Sequence, residues 1–143
     1  VIVGAINRSV FTSNSEEVAH PNVRWAGSIP DSQLRALYEN AAAFVFPSIY
    51  EGFGIPPLEA MICGCPVVVS NASSIPEICG DAAHYFSPNN PDEMLASIQS
   101  VLQNDIHRKS LIEKGRQRAG QFSWDFSARR LRLALAEFGL IDK

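Results

Sequence analysis

The sequence predicts an α/β domain with a mainly parallel sheet, helices on both its faces and extra helices toward its carboxyl end. Three observations predict it. Short apolar runs, among them Val1–Gly4, Ala42–Phe46 and Pro66–Val69, alternate with stretches whose apolar residues recur at helical spacing. The runs are apolar throughout rather than at every second position, the pattern of strands covered on both faces. From Asn90 to Phe138 one helical pattern follows another. Together these describe a Rossmann-like, three-layer arrangement, in which ligands bind outside the carboxyl ends of the strands.

Bulk properties set the limits. At 143 residues the chain is one domain, long enough to bury about two thirds of its unfolded surface. Hydrophobic residues make up 46% and charged residues 19%, which excludes a disordered chain. No apolar run approaches the about 20 residues that a membrane helix needs. No signal peptide is visible, and the chain opens directly on a strand, so a piece cut from a longer, cytoplasmic protein is expected. Of the three cysteines, Cys63 and Cys65 flank one glycine and Cys79 stands alone. Zinc would need a fourth ligand and paired spacing, so reduced, small-hydrophobe cysteines are expected. The net charge of −3 is uneven: residues 1–104 carry 3 basic and 10 acidic side chains, residues 105–143 carry 9 and 5. The basic part reads as solvated helix faces or, alternatively, as a surface for anionic lipid or an anionic acceptor, a peripheral membrane contact. It lacks the aromatic interleaving of a nucleic-acid site, so no nucleic acid is expected.

The elements follow in order. Val1–Gly4 is a buried strand. Residues 5–21 are polar loop, with one helical turn around Glu16–Ala19 and His20 before Pro21. Asn22–Ala26 is the next strand, and Gly27–Pro30 turns the chain. Asp31 caps a helix whose apolar positions are Leu34, Leu37, Tyr38 and Ala41. Ala42–Phe46 is a buried strand ended by Pro47. Pro56 and Pro57 then sit where a helix starts, with Leu58, Met61 and Ile62 on its apolar face. Gly64 ends that helix, and Pro66–Val69 and Ala82–Phe86 are further strands, His84 being packed or hydrogen-bonded. Asn90-Pro91-Asp92-Glu93 is a capping box for a helix with Met94, Leu95, Ile98, Val101 and Leu102 inward. A second helix runs from about Ile106 to Gln121, with His107 on an exposed turn. Ser123 caps a third, whose stripe of Trp124, Ala128, Leu131, Leu135 and Phe138 packs on the domain or docks on another.

The most informative stretch is Glu51-Gly52-Phe53-Gly54-Ile55-Pro56-Pro57-Leu58-Glu59. A strand, a glycine-bearing loop and a helix start aim amide N–H groups and a positive helix end at one place, which suits a phosphate. Carboxylates pressed on a diphosphate would repel it, so Glu51 and Glu59 must face neutral hydroxyls. Glu59, in the first helical turn, suits a ribose. Glu51 suits the hydroxyls of a sugar carried on the far phosphate. Gly52 and Gly54 let the backbone come close to that sugar. Other readings stay open: either acid stabilises the helix start, and Phe53 is a hydrophobic plug or a wall beside the sugar. No G-x-G-x-x-G follows the first strand, which disfavours a dehydrogenase.

The pattern Glu-x7-Glu with Gly-Phe-Gly inside it resembles the retaining glycosyltransferases of family 4, the group 1 glycosyl transferases. Around it stand Ala60-Met61, Gly64-Cys65-Pro66-Val67-Val68, Ile75-Pro76-Glu77 and Phe122-Ser123-Trp124. The resemblance implies the C-terminal, donor-binding half of a two-lobed GT-B enzyme, residues 1–143 forming one nucleotide-sugar-binding domain. It implies transfer of a sugar from a nucleotide diphosphate sugar to an acceptor with retained anomeric configuration; mannose from a guanine nucleotide and glucose-type sugars from a uracil nucleotide are both common donors. Glu51 is then the catalytic candidate. Gly52, Phe53, Gly54, Ile55, Leu58 and Glu59 are donor-binding, and Ile29 contacts the base through the backbone of its turn. Glu77 is either an exposed acid or a contact at the sugar end. No cofactor and no metal are required. Family members usually carry an Arg and a Lys that clamp the diphosphate upstream of the first strand; here Arg8 is the nearest candidate. Where the family often has a second glycine after the first strand, this chain has Ala5-Ile6-Asn7. With the N-terminal acceptor domain missing, the chain alone is expected to be inactive. The alternatives are a nucleotide-sugar-binding subunit of a split transferase and a non-catalytic structural or regulatory domain.

Overall fold

A computed structural model describes residues 1–4 and 20–141. The expected helical turn at Glu16–Ala19, and Arg8, lie outside the described residues. The chain forms two compact units, Val1–Leu37 and Tyr38–Lys143. It is α/β throughout, and every strand pair is parallel, as the apolar runs predict.

In the first unit β1 (Ile2–Val3) pairs with β2 (Trp25–Gly27), Ile2 opposite Trp25 and Val3 opposite Gly27. The expected burial of the first strand does not hold: Val1, Ile2 and Val3 are exposed. A two-stranded ladder offers too little neighbouring surface to hide them. Helix α1 spans Asp31–Asn40, so Asp31 is its first residue rather than its cap. The Pro30 carbonyl accepts the N–H groups of Gln33 and Leu34 at 2.9 and 3.1 Å. Asp31 still suits the positive helix end through its charge. His20 is an exposed loop residue whose Nδ1 accepts the Asn22 N–H at 3.3 Å.

The second unit holds a sheet in the order β3 (Phe44–Phe46), β4 (Val67–Ser70), β5 (Ala83–Phe86). Val68 lies opposite Val45 on one side and His84 on the other. Val68 clusters with Phe86, with Val101 of α4 (Pro91–Gln103) and with Leu111 of α5 (Asp105–Ala119). Val67 and Val69 point to the opposite face by strand alternation and are equally buried. Strand β4 is therefore covered on both sides, as a continuous valine run predicts.

Helix α2 spans Ile55–Ile62 and ends in a Schellman turn. The N–H of Gly64 reaches the Met61 carbonyl at 3.0 Å and that of Cys65 reaches Ala60 at 2.9 Å. Gly64 holds φ 75°, which is why a glycine stands there. The short helix α3 (Ile75–Cys79) was not expected. Five residues with Pro76 among them carry no readable helical period. A 3-10 turn, Gly80–Ala82, leads into β5.

The capping residues act as the sequence implies. Asn90 Oδ1 accepts the Glu93 N–H at 3.1 Å at the start of α4, and Ser123 Oγ accepts the Phe126 N–H at 3.1 Å ahead of α6 (Trp124–Glu137). Two apolar faces are corrected. Leu95 and Leu102 are exposed, so α4 buries a narrower stripe through Met94, Ile98 and Val101. The α6 stripe does not pack on its own domain: no residue of α6 is buried, and Trp124 and Phe138 are 91% and 79% exposed. No disulfide joins the three cysteines; Cys65 and Cys79 are buried and Cys63 is half-buried. Burial pushes the Cys65 and Cys79 thiols up to about 11. Among the described residues, no helix is long and apolar enough to cross a membrane.

His107 is not on an open turn. Its Nε2 lies 2.9 Å from Nδ1 of His84, so one ring proton is shared between α5 and β5. Burial, and then the charge of His107, hold His84 below the ordinary 6.5. The unfolded chain thus binds more protons than the folded one as pH falls through that value. The stabilisation is complete above about pH 6.5 and is lost below it. The urea midpoint is expected to fall between about pH 7 and about pH 5, and His84→Gln should flatten that dependence. An unchanged slope in the variant would remove His84 as its source.

Candidate functional site

The loop that carries Glu51 leaves the carboxyl end of β3 at Pro47, and the loop from Asn71 to Ser74 leaves the carboxyl end of β4 beside it. Serine hydroxyls join the two. Ser70, fully buried at the end of β4, donates to the Ser48 carbonyl. Ser48 Oγ lies 2.8 Å from Glu51 Oε1 and 3.2 Å from the Tyr50 carbonyl. A hydroxyl has one proton, and the closer carboxyl oxygen takes it. Ser73 and Ser74 Oγ reach the Glu51 carbonyl at 2.8 and 2.9 Å, and Ser74 Oγ also lies 2.9 Å from the Phe53 carbonyl. Ser73 is the one non-glycine residue with positive φ among those described, at 54°. That conformation costs about 1–3 kcal/mol, and it sits at the loop junction.

The grip therefore has two parts. Glu51 is half-buried, and both its carboxylate and its carbonyl are held, while Gly52 and Phe53 stay exposed. Phe53 turns its ring toward Phe122, with centroids 5.9 Å apart and planes at 88°, which favours the plug over the sugar wall. Gly54 is buried with φ 106°, and a Cβ there would meet Ile75 Cδ1 at 2.8 Å. A larger residue there is strained by that φ and must also displace the end of the Ile75 side chain.

Helix α2 starts at Ile55, earlier than the prolines suggest, and this corrects the place of Glu59. It lies beyond the first turn, which contains no acid, so the helix-start reading of Glu59 loses its footing. No side chain caps α2. Pro56 and Pro57 bring no N–H, which leaves the amides of Gly54, Ile55 and Leu58 at this end. Leu58 is buried and anchors the helix, whereas Glu59 is exposed. Tyr38 Oη donates to Glu59 Oε2 at 3.4 Å. Burial and the Glu59 charge push the Tyr38 phenol far above its usual range, so it stays a donor. Phe44 meets the Tyr38 ring edge-on at 5.1 Å. Ile29 belongs to the other unit, half-buried in the turn between β2 and α1. Glu77 is exposed on α3.

Sequence reasoning missed Ser48, Ser70, Ser73, Ser74 and Tyr38. The serines lie in polar loop or strand-end positions that look ordinary in isolation. Their one readable trait is clustering after two apolar runs.

One acid stands in the loop between a parallel strand and a helix start, and a second stands within that helix. The chain belongs to the group 1 glycosyl transferases: that family's model matches residues 1–118. It is 48% identical over 103 residues to the O-antigen chain mannosyltransferase B of Escherichia coli, a match covering 72% of this chain and 27% of that protein. It is 36% identical over 106 residues to the MMP alpha-(1->4)-mannosyltransferase of Mycolicibacterium hassiacum, covering 71% of this chain and 26% of that protein. Among solved structures, sucrose-phosphate synthase from Thermosynechococcus elongatus superposes with a TM-score of 0.71 at 28% identity, over 83% of this chain and 31% of that one. The chain thus spans about a quarter of the length of these two mannosyltransferases.

Proposed function

We propose that this chain is the C-terminal, donor-binding domain of a retaining family 4 glycosyltransferase, and that the sugar it helps to transfer is mannose. One observation carries the reading: the loop from Glu51 to Gly54 joins a strand end to a helix start, and among the described residues the Glu51 carboxylate is held by a hydroxyl rather than a cation. The mannosyltransferase relatives support the choice of sugar.

Each part has a physical task. The α2 amides and the positive helix end stabilise charge on the departing diphosphate. Glu59, steadied by Tyr38, accepts hydrogen bonds from the ribose. Ile55 lies beside the phosphates. Glu51 accepts from the sugar hydroxyls and orients the anomeric carbon, while the backbone of Gly52, Phe53 and Gly54 lies along the sugar. In the transfer step the bond from anomeric carbon to diphosphate oxygen breaks and that oxygen keeps the electron pair. An acceptor hydroxyl, held by a separate N-terminal lobe, bonds to the anomeric carbon and gives its proton to the departing diphosphate oxygen. The reaction as drawn uses no metal.

Titration calorimetry with guanosine diphosphate and with uridine diphosphate tests the assignment. Glu59→Ala is expected to weaken the preferred nucleotide by about tenfold to a hundredfold, the worth of a hydrogen bond to a charged group. Equal affinity in the variant would remove Glu59 from the ribose site.

A further inference from the structure

The Phe122-Ser123-Trp124 stretch takes no part in the steps above, yet its first residue meets the glutamate loop. Phe122 closes the corner between α5 and α6, its N–H bonded to the Ala119 carbonyl at 3.0 Å. Its ring makes the edge-on contact with Phe53. Over that ring sits the Arg118 guanidinium, with Cζ 5.0 Å from the ring centre. Arg118 is itself fixed in place: Nε donates to the Ile78 carbonyl at 2.8 Å, Nη2 to the Glu77 carbonyl and Nη1 to Gln121 Oε1 at 2.9 Å. Its charge thus lies against carbonyls near the end of α3, where a cation is favoured. At its other end α3 begins just after Ser74, whose hydroxyl reaches the Phe53 carbonyl. The contacts close a ring: Phe53, Ser74, α3, Arg118, Phe122 and back to Phe53.

The ring of contacts matters because of what flanks Phe53. Gly52 and Gly54 supply no side chain to restrain the backbone, so the pose of this peptide cannot be set locally. A backbone meant to hold a sugar must be kept within about 0.5 Å of its working position. Phe53 is 45% exposed, so burial alone does not fix it. Its carbonyl is held on one side by Ser74 and its ring on the other by Phe122.

We propose that Phe122, backed by Arg118, is a positioning residue that sets the pose of the Gly52–Gly54 backbone toward the transferred sugar, acting through the Phe53 ring. The proposal rests on the donor-site reading. It separates sugar from nucleotide, because the nucleotide parts of the site are anchored differently: α2 by buried Leu58 and Pro57, Glu59 by Tyr38.

The test uses the full-length polypeptide that carries this sequence. Affinities are measured for guanosine diphosphate and its mannose conjugate, and for uridine diphosphate and its glucose conjugate; the pair that the wild type binds is followed. Phe122→Ala is expected to weaken the sugar conjugate by about three- to tenfold, the worth of an aromatic pair and its packing. Affinity for the free diphosphate should stay within about twofold, since a sugar-specific effect leaves that equilibrium alone. Phe53→Ala should give the same selective loss, the double variant no further loss, and Phe122→Tyr should restore binding. Should Phe122→Ala fail to fold, Phe122→Leu, which keeps most of the volume and loses the edge contact, carries the same expectation. Equal weakening of both ligands, additive losses in the double variant, or no loss at all would overturn the proposal. A wild type that binds neither diphosphate would instead overturn the donor-site reading, and this proposal with it.

Discussion

Glu51→Gln is expected to reduce kcat of the full-length enzyme by about a hundredfold to a thousandfold, the usual cost of removing one preorganised polar group from a reacting centre. The exchange keeps the shape and keeps an oxygen for Ser48 Oγ, which lies 2.8 Å from the carboxylate. What it removes is the charge that, in the proposed donor site, orients the sugar and strengthens each hydrogen bond the carboxylate accepts. The loop itself should not move, because Ser73 holds Glu51 through its carbonyl. Stability should therefore change by no more than about 0.5 kcal/mol, and affinity for the free nucleotide diphosphate should be unchanged. Steady-state rates together with a denaturation curve separate these effects. A kcat within about threefold of wild type, far short of such a loss, would take Glu51 out of the chemistry.

Phe86→Ala should cost about 3–5 kcal/mol of folding stability, the range for emptying a buried aromatic site. Phe86 is 1% exposed and packs with Val68, Val101 and Leu111, tying β5 to β4, α4 and α5 at once. A typical domain has about 5–15 kcal/mol in total, so the variant should be close to unfolding. The loss should also reach the site. The Phe86 carbonyl accepts the N–H of Asn71 at 2.9 Å, at the first residue of the loop that carries Ser73 and Ser74. Urea unfolding gives the number, and a loss below about 1 kcal/mol would mean that the cavity collapses.

Much of this was legible because it is written locally. The valine run of β4, the asparagine and serine caps of α4 and α6, and Gly64 after α2 each act within a few residues of themselves. The two glutamates were legible as a spacing. What escaped depends on neighbours distant in sequence. Ser74 meets Glu51 across 23 positions and Tyr38 meets Glu59 across 21, and no window along the chain contains both partners. The start of α2 was misplaced because prolines mark a helix beginning only approximately, and the place of Glu59 along the helix shifted with it. The stripe on α6 was correctly seen as amphipathic, but periodicity tells which side is apolar and not what covers it.

The loop at the end of β3 is tied down by alcohol groups, and this has a consequence for how the enzyme responds to its medium. Hydroxyls carry no net charge for counterions to screen, so added salt should leave the posture of Glu51 intact.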